Sequence, residues 1–170
     1  PASVEVIPPQ LMASISGNVY HDRDNNGLIG KPTEEGVGGV EVKLYRQNGS
    51  LIEIATTVTK PDGSYSFPGL VPADGYVVRV THPSGWINGK DTAGTHGGTV
   101  TEDVIAEVTL RPEDEAKEYN FGLRKPATLS GKVYHDRNDD GTVDPKEEGV
   151  GDVTITITWT DKTTGKTVTK

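Results

Sequence analysis

Apolar and polar residues alternate with period two along most of this chain, in short runs broken by turn-forming clusters. Ile15, Gly17 and Val19 alternate with Ser16, Asn18 and Tyr20, which predicts a half-buried first strand. Val40, Val42 and Leu44 alternate with Glu41, Lys43 and Tyr45, which predicts a second strand. Asn48-Gly49 is a two-residue hairpin signal leading into a third run, Leu51 to Thr59. Pro61-Asp62-Gly63 turns the chain again, and Tyr65, Phe67 and Leu70 resume the pattern. Tyr76 to Val80 is a further strand that ends before Pro83, Gly85 to Gly98 reads as a long glycine-rich loop, and Val104–Leu110 and Tyr119–Leu123 supply the last strands. No stretch carries a helical period. About seven short strands in about 110 residues, with turns at this spacing, predict an all-β sandwich.

The alternation is written twice. Ser16-Gly17-Asn18-Val19-Tyr20-His21-Asp22-Arg23-Asp24-Asn25-Asn26-Gly27 returns as Ser130-Gly131-Lys132-Val133-Tyr134-His135-Asp136-Arg137-Asn138-Asp139-Asp140-Gly141, 114 residues later. Glu147-Glu148-Gly149-Val150-Gly151 repeats Glu34-Glu35-Gly36-Val37-Gly38 with one residue fewer in the loop. Val153, Ile155 and Ile157 repeat Val40, Val42 and Leu44, and Thr167-Val168-Thr169-Lys170 matches Thr57-Val58-Thr59-Lys60. Four segments follow: 1–13, a linker or the tail of a preceding repeat with one alternation at Val4-Glu5-Val6-Ile7; 14–124, a complete module; 125–128, a short linker around Lys125-Pro126; and 129–170, the first part of a second module. The chain begins at Pro1 and stops mid-pattern, which reads as a piece of a longer protein.

Composition narrows the partners. Only 32% of the 170 residues are hydrophobic, which suits the thin core of a sandwich whose strands bury alternate side chains. A net charge of −8 argues against nucleic acid and anionic membranes and favours multivalent cations. There is no cysteine, so disulfides, thiol catalysis and zinc–thiolate sites are excluded. No apolar run approaches the length of a membrane span, so no membrane insertion is expected of this segment.

The repeated phrase carries the chemistry. Calcium takes six to eight hard oxygens, and a calcium loop places them at alternate positions, with glycine at position 6 and a carboxylate at position 12. In the second copy Asp136, Asn138 and Asp140 stand at positions 1, 3 and 5, the Thr142 carbonyl at 7, Asp144 at 9 and Glu147 at 12. In the first copy Asp22, Asp24, Asn26 and the Leu28 carbonyl match, but position 9 is Gly30, position 12 is Thr33, and Glu34 arrives one residue late. Asp, Asn and Gly also favour turns for their own sake, but two copies with matching downstream glutamates favour Ca2+ at both loops, the second better supplied.

Other residues offer less. His21 and His135 lack partners spaced for zinc and read as strand-end residues. Trp86 is expected to plug the end of the sandwich rather than stack on a sugar, and Asp91 is a marginal extra cation ligand. No nucleophile elbow, phosphate loop or zinc-protease helix occurs, so no enzymatic activity is expected.

Taken together, Gly17-x-Val19-Tyr20-x-Asp22-x-Asp24-x-Asn26-Gly27, Glu34-x-Gly36-Val37-x-Gly39-Val40, Asp62-Gly63-x-Tyr65-x-Phe67-x-x-Leu70, Tyr76-x-Val78-x-Val80 and Asn120-Phe121-Gly122 resemble the B-repeat of the serine-aspartate repeat (Sdr-type) bacterial surface adhesins. The resemblance spans residues 14–123 and, partially, 127–170. It implies tandem prealbumin- or immunoglobulin-like (Cna-B-type) sandwiches, the second incomplete, that bind calcium and act as an extracellular stalk. Their partners would be neighbouring repeats of the same chain and a host or surface ligand engaged through the parent protein. It places the ligands at Asp22, Asp24, Asn26 and Glu34, and at Asp136, Asn138, Asp140 and Glu147. Some members cross-link a lysine to an asparagine beside a glutamate. Here Asn18 and Val80 stand at the lysine and glutamate positions, so Asn120 lacks those partners and calcium is the expected staple. The alternatives are a module that binds a ligand or glycan through residues 85–98 and Trp86, and a passive accessory domain of a secreted enzyme.

Overall fold

The computed structural model describes residues 11–30, 33–160 and 165–170; the Val4–Ile7 alternation lies outside them. The chain divides into two compact units, Pro1–Pro126 and Ala127–Lys170. Among the described residues there are twelve strands and no helix. Ten strands build the first unit: β1 (Ala13–His21), β2 (Glu41–Asn48), β3 (Ser50–Val58), β4 (Ser64–Leu70), β5 (Ala73–Thr81), β6 (Ile87–Asn88), β7 (Thr99–Thr101), β8 (Val104–Leu110), β9 (Glu115–Ala116) and β10 (Phe121–Arg124). They form two sheets, one ordered β4-β1-β10-β6 with β9 also alongside β1, the other ordered β3-β2-β5-β8-β7.

The period-two pattern explains the packing, since alternate side chains of a strand face opposite ways. Ile15, Val19, Tyr65, Phe67, Phe121 and Leu123 of one sheet meet Val42, Leu44, Tyr76, Val78, Ile105 and Val108 of the other in one buried core. β3 is an edge strand, and Ile52 and Ile54 on it stay exposed. Residues 85–98, expected as a long glycine-rich loop, are pinned at several points: β6 pairs Asn88 with Leu123 and Ile87 with Arg124, and Thr92 bridges Asn120. Two-residue strands of this kind have no room to display a period, which is why alternation missed them.

One register decides where the acidic loop sits. β1 and β10 run parallel, Val19 opposite Phe121 and His21 opposite Leu123. The strand that delivers the loop therefore ends beside the strand by which the chain leaves the unit, and the Asp22 amide donates to the Leu123 carbonyl at 2.9 Å.

The second unit contains β11 (Thr158–Thr160) and β12 (Thr167–Thr169), an antiparallel ribbon with Trp159 opposite Val168. Val153 and Ile155, expected on a strand like β2, lie outside any strand and are 46% and 65% exposed. β2 is held between β3 and β5. Among the described residues the second unit has no such flanking pair, so the same alternating sequence has no sheet to enter.

Candidate metal centre

The first acidic loop is folded around its own carboxylates. Asp22 accepts the Asn26 amide on Oδ1 and the Gly27 amide on Oδ2, both at 3.0 Å. Asp24 Oδ1 accepts the Asn26 amide at 3.0 Å, and Asn26 Oδ1 accepts the Leu28 amide at 2.6 Å. Asn25 and Gly27 take positive φ of 58° and 81°, so the chain coils tightly enough to turn these oxygens together. Glu34 closes the ring: Oε1 accepts the Arg23 amide at 2.9 Å and Oε2 the Gly30 amide at 2.6 Å.

The second loop repeats this wiring. Asp136 accepts the Asp140 and Gly141 amides, Asp140 accepts the Thr142 amide, and Asp139 and Gly141 have φ of 58° and 76°. Glu147 accepts the amides of Arg137 and Asp144 at 2.8 and 3.1 Å. These are the counterparts of Arg23 and Gly30, so Glu34 reaches the same two groups as Glu147 although it comes one residue later. The base of each loop is also closed alike, by bridges Tyr20–Gly36 and Tyr134–Gly149 and by the bonds His21 N–H to Glu35 and His135 N–H to Glu148.

The surroundings differ. Asp22 is fully buried and Glu34 is 5% exposed. Asp136 and Glu147 are only half-buried, and Asp140 and Asp144 are exposed and half-buried. Burial raises the Asp22 carboxyl above its ordinary acidity range, against the opposing Gly27, Asn26 and Lys90 amides, and the charge of Glu34 adds to the rise. At Asp136 the Gly141 amide prevails over weak desolvation, and the carboxyl is lowered.

A cation test can be put to the oxygens themselves. Calcium–oxygen distances of about 2.3–2.6 Å allow ligands on opposite sides of one ion to stand about 5 Å apart. Ligand oxygens of Asp22, Asp24 and Glu34 all lie within 4.8 Å of one another. Each carboxylate oxygen keeps a lone pair beyond the amide it accepts. The donor set fits a hard divalent ion. In the second loop position 3 is Asn138, an amide oxygen, and its Nδ2 ties Asp140 Oδ2 to Asp144 Oδ2 at 2.9 and 3.1 Å.

Several contributors were not singled out in the sequence. Arg23 forks onto Glu35 at 2.8 and 2.9 Å, and Arg137 onto Glu148 at 2.8 Å. The signal was there, because both residues recur with the ligands. The Arg23 fork and His21 hold Glu35 down to about 2, and Arg137 chiefly does the same for Glu148, also about 2. Tyr20 is buried with its hydroxyl unpartnered, and burial first, then the charges of Asp22 and Glu34, make that hydroxyl a weaker acid than an ordinary tyrosine. Asp91 is a structural carboxylate: Oδ1 accepts the Gly122 amide and Oδ2 the Asp103 amide, and burial pushes it up to about 7. Asn18 donates its backbone and side-chain amides to Asn120 Oδ1 at 3.0 and 3.3 Å, a noncovalent tie at the place where the resemblance would put a cross-link.

The chain is 32% identical over 145 residues to serine-aspartate repeat-containing protein F of Staphylococcus epidermidis, covering 85% of this chain and 8% of that protein. It is 31% identical over 157 residues to serine-aspartate repeat-containing protein D of Staphylococcus aureus strain Newman, covering 92% of this chain and 12% of that protein. The chain thus spans about a tenth of the length of the curated relatives it matches. Among solved structures, the shaft pilin SpaA of Lactobacillus rhamnosus GG aligns with a TM-score of 0.44 and 12% identity over 69% of this chain and 52% of that one. The major plantain pollen allergen Pla l 1 aligns with a TM-score of 0.41 and 16% identity over 68% and 96%. The SdrD B-like domain matches residues 13–123, from the start of β1 into β10 with the first acidic loop between them, and the chain belongs to that family.

Proposed function

We propose that this chain is a calcium-binding spacer repeat from the stalk of an extracellular bacterial surface adhesin, in which Ca2+ stiffens each module. The observation that carries the reading is the convergence of Asp22, Asp24 and Glu34 oxygens at the end of the unit where the chain leaves it. Asn26 and the Leu28 carbonyl would complete the ligand set of the first loop, and Asp136, Asn138, Asp140, the Thr142 carbonyl, Asp144 and Glu147 would make up that of the second loop. Without a cation, like charges gathered this closely repel one another. An ion that binds only the folded loop stabilises it by about 2.7 kcal/mol at a hundredfold excess over Kd. Extracellular modules of this chemistry bind at about 10⁻⁴ to 10⁻³ M, so external calcium is the natural ligand.

The family supports a repeat that works beside other repeats of the same chain, at the cell surface. Recognition of a host ligand belongs to the parent protein. The sugar-platform reading of Trp86 loses support, because Lys125 lies 4.9 Å from its ring centroid and the edge-on His21 ring 5.0 Å away. Calorimetric titration of the whole chain with Ca2+ tests the reading. Heat is expected from the unmutated chain, with one site lost in Asp22→Ala and the other in Asp136→Ala. An unmutated chain that gives no heat overturns it.

A further inference from the structure

Trp86 stands between the end of β1, where the acidic loop begins, and the segment that follows β10. Its amide closes a turn onto the Pro83 carbonyl at 3.1 Å, immediately before β6. Its ring packs half-buried against the core. On one side it meets the His21 ring edge-on, 5.0 Å between centroids at 88°. His21 in turn bonds Glu35 through Nδ1 at 3.2 Å, and Glu35 is gripped by Arg23. On the other side lies the Lys125 ammonium, the residue after β10. β6, which starts next to Trp86, pairs with β10, and Arg124 Nε donates to the Asn88 carbonyl at 3.3 Å. The ring therefore touches both the strand entering the acidic loop and the segment by which the chain leaves the unit.

We propose that Trp86 is a positioning residue that clamps the exit segment Arg124–Pro126 to the acidic loop, so that order in the loop is passed to the point where the chain leaves the first unit. The trigger in this proposal rests on the calcium reading above; the clamp does not. Aromatic edge contacts are worth about 0.5–1.5 kcal/mol and an exposed cation–π contact about 0.5–1 kcal/mol, enough to hold two residues but not to fold a domain. Loss of the ring is therefore expected to free the exit without unfolding the sandwich.

Backbone 15N relaxation at Arg124 and Lys125 reads the clamp in the whole chain, with calorimetry reading the metal. In the metal-free unmutated chain these two amides are expected at order parameters between the flexible and rigid backbone values of about 0.6 and about 0.85, and in Trp86→Ala below about 0.6. Trp86→Phe, which keeps a ring, restores most of the order, whereas Trp86→Leu, which fills space without a ring, does not, although simple loss of packing volume would require it to. Adding Ca2+ tightens the exit of the unmutated chain but leaves that of Trp86→Ala loose while its calcium heat persists. A Trp86→Ala exit as ordered as the unmutated one overturns the proposal. Absence of calcium heat in the unmutated chain removes the calcium reading, and the metal-free comparison still decides the clamp. If Trp86→Ala fails to fold, Lys125→Met, which removes only the cation, decides instead. Its Arg124 amide must lose order, and unchanged order there overturns the proposal.

Discussion

Asp22 and Asp136 hold the same two backbone amides at the same places in two copies of one loop, yet their acidities are pushed in opposite directions. The first sits under a finished sandwich, with Lys90 and Gly122 against it. The second sits in a unit whose apolar residues Val153 and Ile155 are exposed. The hydrogen-bonded form of the loop is therefore a local property of the phrase, set by Asx turns, two left-handed residues and a returning glutamate. Its electrostatics belong to the fold. A local motif predicts which oxygens converge, and only the packing around them fixes what charge they prefer.

The sharpest way to break this comparison is at Gly36 and Gly149. A Cβ on Gly36 would stand 1.9 Å from the Asp62 carbonyl oxygen, and both backbones are fixed in the sandwich. A Cβ on Gly149 meets nothing nearer than the Val133 carbonyl oxygen at 3.9 Å. Gly36→Ala is expected to destabilise the first unit by about 3 kcal/mol or more, above the usual range for overpacking because backbone must move. Gly149→Ala should stay within about 0.5 kcal/mol, as surface substitutions do. Thermal unfolding of the first unit and the amide shifts of the second loop measure the pair, and equal effects would mean that the two loops share one environment.

Next in size is the removal of the position 1 carboxylate in chelator, where no metal masks the effect. Asp22→Ala strands the buried Gly27 amide and leaves the part-buried Asn26 amide only Asp24 to bond, so a loss of about 1–3 kcal/mol is expected in the unfolding of the first unit. Asp136→Ala strands amides that water reaches, and the first unit's unfolding should not change. A first unit indifferent to Asp22→Ala would show that burial there has been overstated.

The two acidities give a smaller and more direct test. In the metal-free chain, carboxyl NMR titration should place Asp22 above 3.8 and Asp136 below it. The signs for stability then oppose each other. Asp22, raised, favours the folded form below its unfolded value, and that contribution is lost as pH climbs through the folded one. Asp136, lowered, favours the folded loop above its unfolded value, and that is lost as pH falls through the folded one. Matching titrations for both would break the comparison.

What the sequence revealed follows the same division. The strands that face a core were visible because Ile15, Val19, Val42, Leu44, Tyr65 and Phe67 keep period two, and the loop was visible because Asp22, Asp24 and Asn26 recur as Asp136, Asn138 and Asp140. Pairings made by Gly89, Thr92 and Asn120 left no trace, since backbone bonds place no demand on residue type. The burial of Asp91 and the contact of Trp86 with Lys125 depend on long-range neighbours that no local window contains. The strand expected over Val153–Ile157 did not form, because alternation specifies a face and not the sheet that covers it.

The smallest effect should be the same in both copies, which makes it a control on the rest. Glu35 and Glu148 are exposed alike, with 53% and 55% of their side-chain surfaces open, and each is held to about 2 by the arginine fork and the adjacent histidine. Being lowered, both favour the folded loop above the ordinary value of 4.5, and both lose that contribution as pH falls toward about 2. Exposed pairs are screened, so 1 M salt, with a Debye length of about 3 Å, should move both titrations upward together. Carboxyl 13C shifts of Glu35 and Glu148 followed in low and high salt measure this. A gap of more than about one pH unit between them would mean that the two loops are not the same local structure, and the contrast between Asp22 and Asp136 would then owe something to loop geometry rather than to burial alone.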